Sequence, residues 1–138
     1  MDFDFSDDQE QLRDAVRKWV DKGYTFERRR AAVAAGAAVG ALLRWVTGLW
    51  LNPQWGGFPL GTLLVNCVGG LLIGVAMVWF ARQPNEVLKL LLVTGFLGGL
   101  TTFSAFSGES LALLRHGEIG MAVAHTAAHV LGSLLAAW

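Results

Sequence analysis

From residue 31 onward the chain alternates long apolar runs with short polar clusters; before residue 31 charged residues dominate. Four runs approach or exceed the ~20 residues that an α-helix needs to cross a bilayer. They extend from about Ala31 to Leu51, Leu60 to Ala81, Val87 to Leu114 and Ile119 to Trp138. The cuts between them carry turn chemistry: LNPQWGGFP (Leu51 to Pro59), RQPNE (Arg82 to Glu86) and RHGE (Arg115 to Glu118). The third run is too long for one straight crossing, which predicts a break near its middle. Ahead of the runs, residues 6–22 predict an amphipathic helix. Leu12, Val16, Trp19 and Val20 recur at helical spacing. Ser6 is placed to cap the helix, Gln9 to complete a capping box, and Gly23 to stop it.

The zero net charge hides this division. Of 11 Lys and Arg residues seven lie in positions 1–30, and of 11 acidic residues eight do. The acidic start MDFDFSDDQE lacks the basic n-region of a secretory signal. One cysteine, Cys67, excludes an intramolecular disulfide. No basic, aromatic-interleaved surface points to nucleic acid. Catalytic arrangements are also missing: there is no Ser/His/Asp set, no paired carboxylates and no phosphate cradle after a strand.

The chemistry concentrates in GFLGGLTTFSAFSGE, Gly95 to Glu109, inside the third run. Irregular backbone at membrane depth is tolerated only where it is buried in protein or lines a polar cavity. Gly98, Gly99, Thr101 and Thr102 favour unwinding there, and freed carbonyls are hard oxygen donors suited to a small cation. The competing reading is a glycine packing surface with a mild kink. Phe103 and Phe106 share one helical face. Their positive ring edges suit an anion, although membrane phenylalanines ordinarily face lipid or core. Asn66 is either interhelical glue or an anion donor. Ser104, Ser107 and Ser133 bond most simply to their own helices.

Arg44 lies inside the first run, where a charge costs ~2.5–3.5 kcal/mol unless it faces protein or water. On the last run His125, His129 and Ser133 share a face at i, i+4 and i+8. A metal site there lacks a further ligand at useful spacing, so the histidines read as the lining of an aqueous path. Glu109, with no visible partner, reads as structural.

Together GALLRW (Gly40 to Trp45), GTLLVNCVGG (Gly61 to Gly70) and GFLGGLTTFSAFSGE resemble the Fluc (CrcB) fluoride channels in order and separation. The resemblance covers residues 31–138. It implies an all-α membrane protein of four transmembrane helices with a broken third helix, paired as an antiparallel, dual-topology homodimer in the inner membrane. Fluoride is then the transported ion. Asn66, Phe103, Phe106, Ser107, His125, His129 and Ser133 would line the pore, and Arg44 would sit by an anion vestibule. Gly98 and Thr101 carbonyls would share a structural Na+ with the partner copy. His125 stands where that family often has tyrosine, and His129 where a small hydroxyl residue is common. The last helix also stops early, at Trp138. The first 25 residues instead resemble the start of acyl-CoA dehydrogenases, without that family's flavin-binding body. Residues 1–27 thus read as a fusion-like tail on a channel domain of residues 28–138. Two rival classes share the four-span plan. A small multidrug exchanger needs an acid in the first span, which holds Arg44 instead. A non-transporting assembly protein would use the polar residues only as helix glue.

Overall fold

The computed structural model describes residues 6–21, 26–54 and 57–138, except the side chains of Trp19, Asp21 and Gln54. The expected stop at Gly23 and part of the first loop lie outside the described residues. Helix α1 spans Asp7–Asp21, and the Ser6 N–H donates to Gln9 Oε1 at 3.1 Å, half of a capping box. Its described side chains are exposed.

Four stretches are long and apolar enough to cross a membrane: Phe26–Leu51, Leu60–Arg82, Glu86–Arg115 and Ile119–Ala137. The first, α2 (Phe26–Leu51), starts five residues before Ala31, because the Arg28–Arg30 triplet continues the helix into polar surroundings. The second is α3 (Leu60–Arg82). The third is composite. A short α4 (Glu86–Lys89), capped by the Asn85 side chain, runs into a π-helical stretch, Leu90–Leu97, then a single turn α5 (Gly98–Leu100). Thr101 and Thr102 are extended, at φ −80°, ψ 157° and φ −152°, ψ 118°, before α6 (Phe103–Arg115). The fourth is α7 (Ile119–Ala137). Among the described residues no strand forms.

Packing sorts these helices into two contact zones. Between α2 and the π-helical stretch, backbone meets backbone. A Cβ on Gly36 would strike Leu91 and Phe96, and one on Gly95 would strike Val33, Gly36 and Ala37. Small residues permit the close approach that holds membrane helices together without a hydrophobic driving force. On the other side α3 lies against α7, with Gly70 facing the Ser133 carbonyl and Gly74 that of Ala137. A small apolar core of Val65, Leu97 and Leu100 sits where the two zones meet.

Candidate functional site

The extended step at Thr101 and Thr102 interrupts the helical ladder, and neighbouring helices take over its polar groups. Thr102 N–H donates to Asn66 Oδ1 at 2.8 Å, and Asn66 Nδ2 donates back to the Thr102 carbonyl at 3.0 Å. This paired amide contact satisfies a buried backbone donor and acceptor that would otherwise cost about 1–3 kcal/mol each. The Thr102 hydroxyl accepts from Ala105 N–H at 3.1 Å, capping α6. Because Thr102 N–H turns to Asn66, the carbonyl of Gly98 loses its i+4 donor. Gly98 is exposed. The Thr101 carbonyl accepts from Arg44 Nη1 at 3.4 Å, so the charge in the first span is aimed at the break. The Gly98 carbonyl is thus left without its helical donor, while the Thr101 carbonyl already faces a guanidinium; both are hard oxygens of the kind a small cation takes, but two are too few to enclose one.

Beside the break runs a cleft of about 590 Å³, with Asn66, Phe103, Phe106, His129 and Ser133 in its walls. Phe106 is buried and stacks on His129, with centroids 4.7 Å apart, and on His125 at 5.6 Å. Phe103 lies 5.4 Å from Phe106 but is 79% exposed on the single chain, so its ring faces outward there. Ser107 donates to the Phe103 carbonyl at 2.9 Å, the ordinary bond of a hydroxyl to its own helix. Ser133 is half-buried on α7.

The structure corrects the expectations that Glu109 stands alone and that no carboxylate joins the histidines. Glu109 Oε1 accepts from the Thr62 hydroxyl at 2.6 Å, and its Oε2 lies 3.5 Å from His125 Nε2. Ligand-type atoms of Glu109, His125 and His129 fall within 4.8 Å of one another. His125 Nδ1 meets the Ser110 hydroxyl at 2.9 Å, and His129 Nδ1 meets Asn66 Nδ2 at 3.2 Å. His125 is wholly buried and His129 is 4% exposed. Glu109 Oε2 and both Nε2 atoms have no hydrogen-bond partner, although all three are buried. Thr62 and Ser110 were missed from sequence. The available signal was register: Thr62 is one turn before Asn66 on α3.

Comparison with known proteins points the same way as the motifs. Residues 31–138 match the family described as CrcB-like protein, Camphor Resistance (CrcB). A protein of Aromatoleum aromaticum named "Fluoride-specific ion channel FluC" is 58% identical over 109 residues, covering 78% of this chain and 83% of that protein. Proteins with the same name from Pseudomonas aeruginosa and Chromobacterium violaceum are 54% and 55% identical over 106 residues. Each comparison covers 75% of this chain and 84% of the relative.

Proposed function

The chain belongs to the CrcB family, and on that premise we propose that its broken third span carries fluoride across the membrane. It is a multi-pass fluoride channel rather than an enzyme. It moves the ion downhill, out of a bacterial cytoplasm through the inner membrane. The carrying observation is the extended Thr101–Thr102 step, held by Asn66 and bordered by a cleft with Phe106 and His129 in its wall.

Fluoride gives up a strongly held hydration shell only where many weak donors replace it. Ring edges of Phe103 and Phe106, the Ser133 hydroxyl and imidazole N–H groups of His125 and His129 supply such donors, and Ser107 joins them by releasing the Phe103 carbonyl. None is a full positive charge that would trap the ion. Asn66 shapes the path through Thr102 and His129, and Arg44 draws the anion toward the break. A narrow bore and this hydrogen-bond demand select against chloride.

The working unit is an antiparallel homodimer of dual topology. Support comes from the single chain: Phe103, in the cleft wall, is 79% exposed, and the break leaves the Gly98 carbonyl without its helical donor. A second copy would cover the ring and complete a Na+ site that fastens the two breaks together. Residues 28–138 form the channel domain; residues 1–27, including α1, are an appended tail.

Purified full-length protein in liposomes tests the function. Fluoride efflux, read by an ion-selective electrode, is expected to proceed without chloride efflux and without a proton gradient. Absence of fluoride flux from well-folded dimers would overturn the reading. Phe106→Ile is expected to cut that flux at least about tenfold while the dimer persists on size-exclusion chromatography.

A further inference from the structure

A helix that stood alone in water would gain nothing from a one-sided apolar stripe, yet α1 carries one. Leu12, Val16 and Val20 are 65%, 52% and 43% exposed, and at about 100° per residue they share an arc of about 80°. Trp19 joins that arc by its place in the sequence. The stripe is uncovered, since every described side chain of α1 is exposed.

The charges round the stripe are ordered. Going round the helix from it come Arg13 and Arg17, then Glu10, Asp14 and Asp7, then Lys18, then Gln11 and Ala15. Bases therefore stand between the stripe and the acidic arc on both sides. Arg13 lies 3.8 Å from Glu10 and from Asp14, along the seam. Asp8 breaks the order, and it sits in the first turn, where a carboxylate favours the helix N-terminus. A bilayer surface has the same succession of layers: acyl chains, then phosphates, then water. A helix lying flat there buries its stripe, lets long basic arms reach phosphates at its flanks and turns its acids to water.

We propose that α1 is an interfacial anchor, lying flat in the headgroup layer of the leaflet that α2 enters, with lipid as the occupant of its stripe. Reach supports this. Residues 22–25 separate α1 from α2, so the link spans at most about 18 Å. Phe26 opens α2 five residues before Ala31, about 7.5 Å along the axis. The end of α1 therefore stays within about 25 Å of the apolar boundary, and tethering makes contact of even a narrow stripe with the bilayer effectively intramolecular. Acids outnumber bases on α1, so net charge does not draw it to anionic lipid; the stripe supplies the binding and the bases set the depth. The tail of a second copy fits less well, because the stripe covers about one heptad where a coiled coil sustains three or more. The proposal needs the four membrane spans and not the ion they pass.

The test is electron paramagnetic resonance of full-length protein in phosphatidylcholine nanodiscs, with Cys67→Ser removing the native thiol. A spin label is placed at Leu12→Cys on the stripe or at Asp14→Cys on the acidic arc, and its collisions with oxygen and with a water-soluble nickel chelate are compared. The oxygen-to-nickel ratio at position 12 is expected to be at least about threefold that at position 14. Adding Val16→Glu to the Leu12→Cys chain is expected to bring its ratio down to that of position 14. Equal ratios at the two positions in the chain that keeps Val16 overturn the proposal. So does a position-12 ratio that Val16→Glu leaves unchanged, because the stripe would then not be what holds the helix. Dipolar broadening between position-12 labels also overturns it, by making a second tail the occupant.

Discussion

The two helix contact zones share glycine-permitted backbone contact, at Gly36 and Gly95 on one side and at Gly70 and Gly74 on the other, but only one adds a network of polar side chains. Between α2 and the π-helical stretch with α5 the contact is backbone on backbone, with Gly36, Gly40, Gly95 and Gly99 leaving no room for a methyl group. Among α3, α6 and α7 the contact runs through Thr62, Asn66, Glu109, Ser110, His125 and His129. The first zone fixes how close two rods lie and sends only Arg44 toward the break. The second spends hydrogen bonds on a backbone break and still leaves three buried polar atoms unpartnered. The extended step at Thr101 and Thr102 lies between them: its Arg44 contact comes from the glycine side and its Asn66 clamp from the polar side.

The largest expected effect comes from filling the glycine zone. In Gly95→Val the new side chain would collide with the backbone of Val33, Gly36 and Ala37 rather than with a flexible tip. Helices cannot relax around a backbone collision without separating. The expected outcome is loss of the monodisperse species on size-exclusion chromatography, with a cost at or beyond the upper end of the ~1–3 kcal/mol typical of overpacking. A well-behaved protein with unchanged thermal stability would show that the close approach is dispensable.

Next is the clamp. Asn66→Ala leaves Thr102 N–H and its carbonyl without their partner, at about 1–3 kcal/mol for each buried group. A fall in the thermal midpoint is expected together with loss of flux, because the break and the His129 ring are held by the same amide. Stability lost with flux retained would place Asn66 among packing residues alone.

How much of this was legible in the chain follows the range of the information. Pro59, Asn85 and Gly117 are local punctuation, so the edges of α3 and α7 agree with the expected spans to within a residue. Hydropathy placed the start of α2 too late, because Arg28, Arg29 and Arg30 are good helix formers that read as polar. Nothing in LLLVTGFL announces a π-helix. Asn66 and the histidines stood out as polar positions in apolar runs. Their partners did not, because Glu109 meets Thr62 across 47 positions and Arg44 meets Thr101 across 57. Such pairings come from the packing of rods, which no local window contains.

A smaller effect is expected at Arg44. Its single contact with the break is long, at 3.4 Å, and Lys keeps the charge while losing the planar fork that reaches the Thr101 carbonyl. Arg44→Lys is expected to leave stability within about 0.5 kcal/mol and to lower flux only a few-fold. A greater flux loss with unchanged stability would make the guanidinium geometry, rather than its charge, the feature that draws the anion.

The smallest effect on stability is expected from the tail, and there the contrast moves from packing to insertion. Helix α1 has every described side chain exposed, so removing it takes no buried surface from the four spans. Truncating residues 1–27 should leave the thermal midpoint unchanged. Orientation is another matter, because Lys and Arg close to a span are retained on the cytoplasmic side. The tail carries Arg13, Arg17 and Lys18, and Arg28, Arg29 and Arg30 adjoin the first apolar run. Without these charges the loops carry few Lys and Arg, and a chain so balanced can insert either way up. An antiparallel pair needs both orientations in comparable amounts. The truncation, combined with Arg28→Gln, Arg29→Gln and Arg30→Gln, is therefore expected to raise the fraction inserted with its N-terminus outward. Labelling of single cysteines introduced into the loops after α2 and α6 reads that fraction directly. Equal dual insertion of both chains would separate the tail from any role in topology and leave pairing to the spans alone.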